Sequence, residues 1–146
     1  MRYTFLSFGE LLWDLFPDGK VLGGAPANLA YFLHGLGESA ILYSQVGDDL
    51  LGEEASQNIQ ALQLPAILPK SPYPTGQVKI SFNEHHEPHY QFNKENAWDY
   101  LTFREFKGLQ ELKYIAFGSL ALRSLKSREA LQSLLNAAPH AGRFLD

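Results

Sequence analysis

The 146-residue chain contains no cysteine, which excludes disulfide staples and thiolate metal sites and fits a reducing compartment. No apolar run approaches the roughly 18 residues of a membrane-crossing helix, and the first residues lack the pattern of a secretory signal. Positive charge is sparse. Twelve Lys and Arg against sixteen Asp and Glu give a net charge of −4 without a basic stripe, which argues against nucleic acid as a partner. Common nucleotide and hydrolase signatures are missing too: there is no G-x-x-x-x-G-K-S/T, no strand-linked G-x-G-x-x-G and no G-x-S-x-G around Gly118-Ser119. Repeats and low-complexity tracts are absent. What remains is 45% hydrophobic and 13% aromatic, too apolar for a disordered chain. Its length suits one domain with a core of its own, spanning residues 1–146.

The run Leu22-Gly23-Gly24-Ala25-Pro26-Ala27-Asn28-Leu29-Ala30-Tyr31 is the most informative stretch. Two glycines permit a tight turn and leave no Cβ in the way of an approaching molecule. Pro26 suits the start of a helix, where its missing N–H goes unused. Asn28 brings an amide near the free backbone N–H groups of that helix end. Leu29, Phe32, Leu33 and Leu36 follow at i, i+3, i+4 and i+7, so they are expected to dock the helix on the core while the glycines and Asn28 face a cavity. A bare turn and cap would explain one glycine and the asparagine. The pair followed by proline and asparagine fits a site for an uncharged polar ligand better.

Strand and helix signals alternate elsewhere. Residues 3–8 read as a buried strand ended by Gly9, and a helix over 26–36 stops at Gly35 and Gly37. Residues 40–46 form the next strand. Asp49 then caps a helix whose Leu51, Ala55, Ile59 and Leu62 share a side, with Glu53 and Glu54 near its positive end. A strand over 112–117 precedes a helix capped by Ser127, carrying Leu131, Leu134, Leu135 and Ala138 and closed by Pro139 and Gly142. Residues 143–146 open another strand. This alternation predicts an α/β fold with a parallel sheet between helices, a three-layer core.

The middle of the chain follows a different period. Val78, Ile80 and Phe82 alternate with Gln77, Lys79 and Ser81, and Tyr90 and Phe92 continue beyond a polar turn, which predicts a hairpin. Residues 13–16 and 20–22 make a weaker pair around Pro17-Asp18-Gly19. The strands around 12–22 and 75–93 are therefore expected to form a small β-lid beside the cavity.

Gly9-Glu10-Leu11-Leu12-Trp13-Asp14 with Pro17, the Gly23-Gly24 run, Gly47-Asp48-Asp49-Leu50-Leu51-Gly52, Phe117-Gly118-Ser119 and Phe144-Leu145-Asp146 stand in an order that resembles the N-terminal half of the PfkB-type, ribokinase-like carbohydrate kinases. The likeness spans nearly the whole chain and looks closest to the fructokinase branch. It implies a lid that covers a sugar and can pair two subunits in a homodimer. It further implies sugar hydroxyls contacted by Asp14, Gly23, Gly24 and Asn28, and ATP as phosphoryl donor with Mg²⁺ in a cytoplasmic enzyme. The D-T-x-G-A-G-D pattern that the resemblance associates with ATP and the catalytic base is absent from these residues. ATP, Mg²⁺ and the catalytic base are accordingly expected beyond Asp146, and this chain alone is expected to be inactive and marginally stable.

Bland readings compete at each position. Asp14 can accept two neighbouring hydroxyls, each such bond to a charged group contributing about 1.5–3 kcal/mol, or it is a solvated turn carboxylate. Phe92 is a sugar-stacking ring or lid core. Asn93 stands where some relatives carry a basic residue, which disfavours an acidic sugar. Asp48 and Asp49 read as a turn and a cap in preference to a metal pair. His85, Glu87 and His89 could share a strand face as a zinc site, but Pro88 favours an exposed turn tip. The leading expectation is the sugar-binding half of a fructokinase-like kinase; the alternative is a non-catalytic sugar- or partner-binding module.

Overall fold

The computed structural model describes residues 2–146. Strand β1 (Phe5–Phe8) leads into the hairpin of β2 (Leu12–Phe16) and β3 (Gly19–Gly23), then α1 (Ala25–Gly35). Next come β4 (Ala40–Tyr43), β5 (Val46–Gly47), α2 (Leu50–Ala61), β6 (Ala66–Ile67) and β7 (Lys70–Ser71). A second hairpin follows, β8 (Gly76–Phe82) and β9 (Pro88–Phe92). The remainder holds β10 (Tyr114–Phe117), α3 (Leu125–Ala137) and β11 (Gly142–Leu145), with 3-10 turns at Ala97–Tyr100, Leu109–Glu111 and Ala121–Arg123.

The central sheet is parallel throughout, in the order β11-β10-β1-β4-β6. Because successive side chains point to opposite faces, it separates two cores. Leu6, Phe8, Ile41, Tyr43 and Ile115 pack with Leu131, Leu134 and Leu135 of α3. Leu42 packs on the other side with Ala27 and Ala30 of α1 and Ala55 and Ile59 of α2. The result is the expected three layers. The chain builds outward from β1 through β4 to β6, then crosses back to β10 and β11, so its direction reverses between β1 and β10.

The two hairpins join through a parallel β2–β8 pairing into a second sheet, β3-β2-β8-β9. One face is riveted to the body by Trp13, whose Nε1 donates to the Leu51 carbonyl at 3.0 Å, while the Lys20 ammonium lies 4.9 Å from the ring centre. The other face carries Leu12, Val78 and Ile80, packed with Phe16 and Leu120. At the root of β8, Asp49 caps α2 by accepting from the Gly52 N–H at 2.7 Å and also accepts from the Thr75 N–H and hydroxyl, at 2.8 and 2.6 Å. Thr75 Oγ in turn accepts from the Gly47 N–H at 2.9 Å. The Gly47–Gly52 segment is thus a latch between α2 and the small sheet, and Asp48 lies at its surface, 3.6 Å from Lys70.

Several local expectations are corrected. The apolar stripe of α1 does not dock as a whole: Leu29 and Leu33 are half-buried, Phe32 and Leu36 are 65% and 80% exposed, and the buried positions are Pro26, Ala27 and Ala30. Small residues win because α1 lies close on β1, where the Ser7 hydroxyl donates to the Pro26 carbonyl at 2.7 Å. Ser127 does not cap α3. The helix begins three residues earlier with Ser124 at the N-cap, and buried Ser127 instead donates to the Trp98 carbonyl at 2.7 Å and accepts from the Leu101 N–H at 3.2 Å. The strand expected over 40–46 divides into β4 and β5, the latter paired with β7. Gly142 opens β11 and does not close α3. Among the described residues, no helix is long and apolar enough to cross a membrane.

Candidate functional site

In an open parallel sheet, the crevice outside the carboxyl ends of the strands, where the chain reverses direction, is the natural place for a ligand. Here that crevice lies where β1 ends in Gly9-Glu10 and β10 ends in Gly118-Ser119. The small sheet springs from this end of β1, and its Leu12 face meets Leu120 just after β10.

Register assembles one row across that face. Asp14 is paired with Val21 on one side and Val78 on the other, and Val78 with Phe92. Directly opposed residues share a face, so Asp14 and Phe92 flank Val78 on the side turned toward Leu120. Phe92 is 39% exposed, neither solvated freely nor buried as core. The Asp14 carboxyl is half-buried, and desolvation pushes it above the ordinary aspartate range.

Gly23 lies against Asp14: a Cβ on Gly23 would stand 2.5 Å from Asp14 Oδ2. Gly24 has φ of 109°, and a Cβ there would collide with the Glu10 carbonyl. The two glycines act differently: Gly24 is required by the backbone, whereas Gly23 leaves the Asp14 carboxylate its place. Asn28 sits in the first turn of α1, its N–H donating to the Gly24 carbonyl at 2.9 Å and its side chain exposed. Asn28 and Gly23 line a cavity of about 410 Å³ between α1 and α2, walled by Leu11, Leu22, Tyr31, Phe32, Ile59 and Leu62. Asp14 does not line that cavity. Gly23 is the residue common to both groupings.

Two buried carboxyls lie outside the sequence expectations: Asp99, paired with Arg123, and Glu10. Glu10 is 3% exposed, and its Oε2 has no hydrogen-bond partner. Burial pushes its carboxyl upward, while backbone hydrogen bonds, including those of Ala25 and Ala121, pull it back; the negative charge of Asp146 adds to the rise. The signal was a single acid set between two apolar strands, in Phe8-Gly9-Glu10-Leu11-Leu12.

The alternative metal centre finds no geometry. Glu87 Oε2 accepts from Asn83 Nδ2 at 2.8 Å, and Asn83 Oδ1 accepts from the N–H groups of His85 and Glu87, which closes a hairpin tip. Among the described residues, no group of three or more His, Asp or Glu is arranged to hold a metal ion.

Comparison with known proteins accords with this architecture. The chain is 26% identical over 145 residues to a fructokinase of Escherichia coli, covering 94% of itself and 47% of that protein. Its structure superposes on an uncharacterized sugar kinase of Pyrococcus horikoshii with a TM-score of 0.87 and 26% identity, over 97% of this chain and 54% of the other. A fructokinase of Vibrio cholerae matches with a TM-score of 0.84 and 25% identity, over 99% and 53%. The chain thus spans about half the length of these relatives. The family model for pfkB carbohydrate kinases matches residues 8–146, and the chain belongs to that family.

Proposed function

We propose that this chain supplies the sugar-holding part of a fructokinase-like carbohydrate kinase, in which the γ-phosphoryl of ATP passes to a primary hydroxyl of a furanose-like sugar. The observation that carries the proposal is the row formed by Asp14, Val78 and Phe92, with Gly23 set against the Asp14 carboxylate, at the crevice where the sheet reverses direction. A carboxylate accepts two adjacent hydroxyls, a ring covers the apolar face of a sugar, and a glycine lets the sugar approach the backbone. Gly24 shapes the turn, and Asn28 offers an amide from the first turn of α1. Fructose is the sugar we assign, on the strength of the fructokinase relatives.

We propose that the residues of this chain do not by themselves hold ATP or Mg²⁺. No three metal-ligating side chains converge among the described residues, and no phosphate-cradling glycine loop occurs in the sequence. We assign those groups, and the catalytic base, to sequence outside these residues, and propose that the chain alone does not turn over ATP. A cytoplasmic setting and a homodimer formed through the exposed small sheet complete the proposal.

Amide resonances followed by NMR during a fructose titration test the reading. Shifts centred on Asp14, Gly23, Gly24, Asn28 and Phe92 are expected. Shifts confined to other surfaces, or none at millimolar sugar, contradict it.

A further inference from the structure

Glu10 is unusual in holding a carboxyl inside the protein at the point where three segments meet. It follows β1 directly. The backbone of Ala25, the first residue of α1, and that of Ala121, in the turn after β10, both act on its carboxyl. The turn between β3 and α1 is pressed on the same residue, since Gly24 has no room for a Cβ against the Glu10 carbonyl. Gly118, at the end of β10, leaves its Cβ position 3.7 Å from Glu10 Oε2. An acid at the start of α1 is favoured by the helix dipole, yet Oε2 remains unpartnered. A buried acceptor without a partner is destabilising, which is a poor arrangement for stability alone.

We propose that Glu10 is a positioning residue that ties the Gly23-Gly24 turn and the start of α1 to the turn after β10, and thereby sets the width of the sugar crevice. The inference rests on the function proposed above for its consequence, and on the fold alone for the tie. Glu10 reaches across the reversal point of the sheet, joining elements that belong to opposite halves of the winding. Among the described residues, Asp146, just after β11, is the charged side chain that bears on it. The tie is single: no other buried carboxyl of the described residues draws on backbone from both α1 and the segment after β10.

The test uses the 146-residue chain with Glu10→Gln and Glu10→Ala. Amide resonances of Gly24, Ala25 and Ala121 are followed between about pH 4 and 8, alongside fructose affinity and melting temperature. In the wild type these three amides are expected to titrate together, at a pH above the ordinary glutamate range. In Glu10→Gln the titration vanishes, while amide positions and affinity stay near wild type because an acceptor is kept. Glu10→Ala shifts all three amides and weakens fructose binding at least about tenfold, since small misplacements of a site are costly. The proposal is overturned if Ala25 and Ala121 respond independently, if they keep titrating in Glu10→Gln, or if Glu10→Ala lowers the melting temperature without touching affinity. Should Glu10→Ala not fold, the Glu10→Gln titration decides the matter. Should the wild type not bind fructose, the functional proposal fails, and the amide titration still decides the tie.

Discussion

Gly23 and Asp14 share one space: the volume that a methyl group on Gly23 would occupy lies 2.5 Å from the Asp14 Oδ2. The contact is with the end of a short side chain, which can swing aside, so Gly23→Ala is cheap for folding and costly for the direction of the carboxylate. We expect Gly23→Ala to weaken fructose binding about tenfold, which corresponds to about 1.4 kcal/mol, with little change in melting temperature. Calorimetric titration beside thermal denaturation checks the split.

Asn28→Ala separates site from scaffold in a second way. The side chain is exposed, and no packing is lost with it. Sugar affinity is expected to fall by about 1 kcal/mol, the worth of one or two neutral hydrogen bonds, while the midpoint of denaturant unfolding stays where it was. Proportional losses in both would make Asn28 a structural cap and nothing more.

Acid is expected to act on Asp14 through ligand binding. Desolvation holds its carboxyl above the ordinary aspartate value of about 3.9. A carboxylate that must accept hydroxyls therefore fails earlier on acidification than an ordinary aspartate. Fructose affinity measured from neutral pH downward should begin to fall above about pH 4, and in Asp14→Asn the residual affinity should be flat over that range.

Asp49 behaves with the opposite sign. Desolvation raises its carboxyl, but the Thr75 hydroxyl, the N–H groups of Thr75 and Gly52, and Lys70 outweigh it, and the net displacement is downward. Its native pKa thus lies below the unfolded one. The stability it contributes is fully present above the unfolded value of about 3.9 and is lost as pH falls through the native value. Asp49→Ala, which removes a helix cap and the Thr75 latch, is expected to cost about 2 kcal/mol at neutral pH. Urea unfolding at pH 7 and pH 3 checks both statements, because the difference between mutant and wild type should shrink at the lower pH.

Local chemistry was the legible part of this sequence. Asp49 announces a cap and the alternation over 77–82 announces a strand, because each depends on residues a few positions apart. The ordered motifs also carried the family. What was illegible depends on distance of approach. The leucines and Phe32 of α1 look like a docking face by periodicity, yet the close seat of Pro26, Ala27 and Ala30 on β1 and β4 gives that role to small residues. Ser127 has the composition of a cap, but its hydroxyl is taken by the Trp98 carbonyl, a partner 29 residues away. Glu10 was passed over for the same reason: its backbone neighbours at Ala25 and Ala121 are contiguous only in the folded chain. Within the candidate site, the pairing of Asp14 with Val78 and of Val78 with Phe92 is a fact of register, which periodicity alone does not supply.

The account stands on sugar being held by the Asp14 row, and calorimetric titration of fructose into the wild-type chain and into Asp14→Asn examines that directly. Saturable binding is predicted for the wild type, weakened at least about tenfold by the substitution, in line with the loss of hydrogen bonds to a charged acceptor, while the circular dichroism of the two proteins remains superimposable. Equal affinities in the two chains, or no saturable binding to the folded wild type, would contradict it.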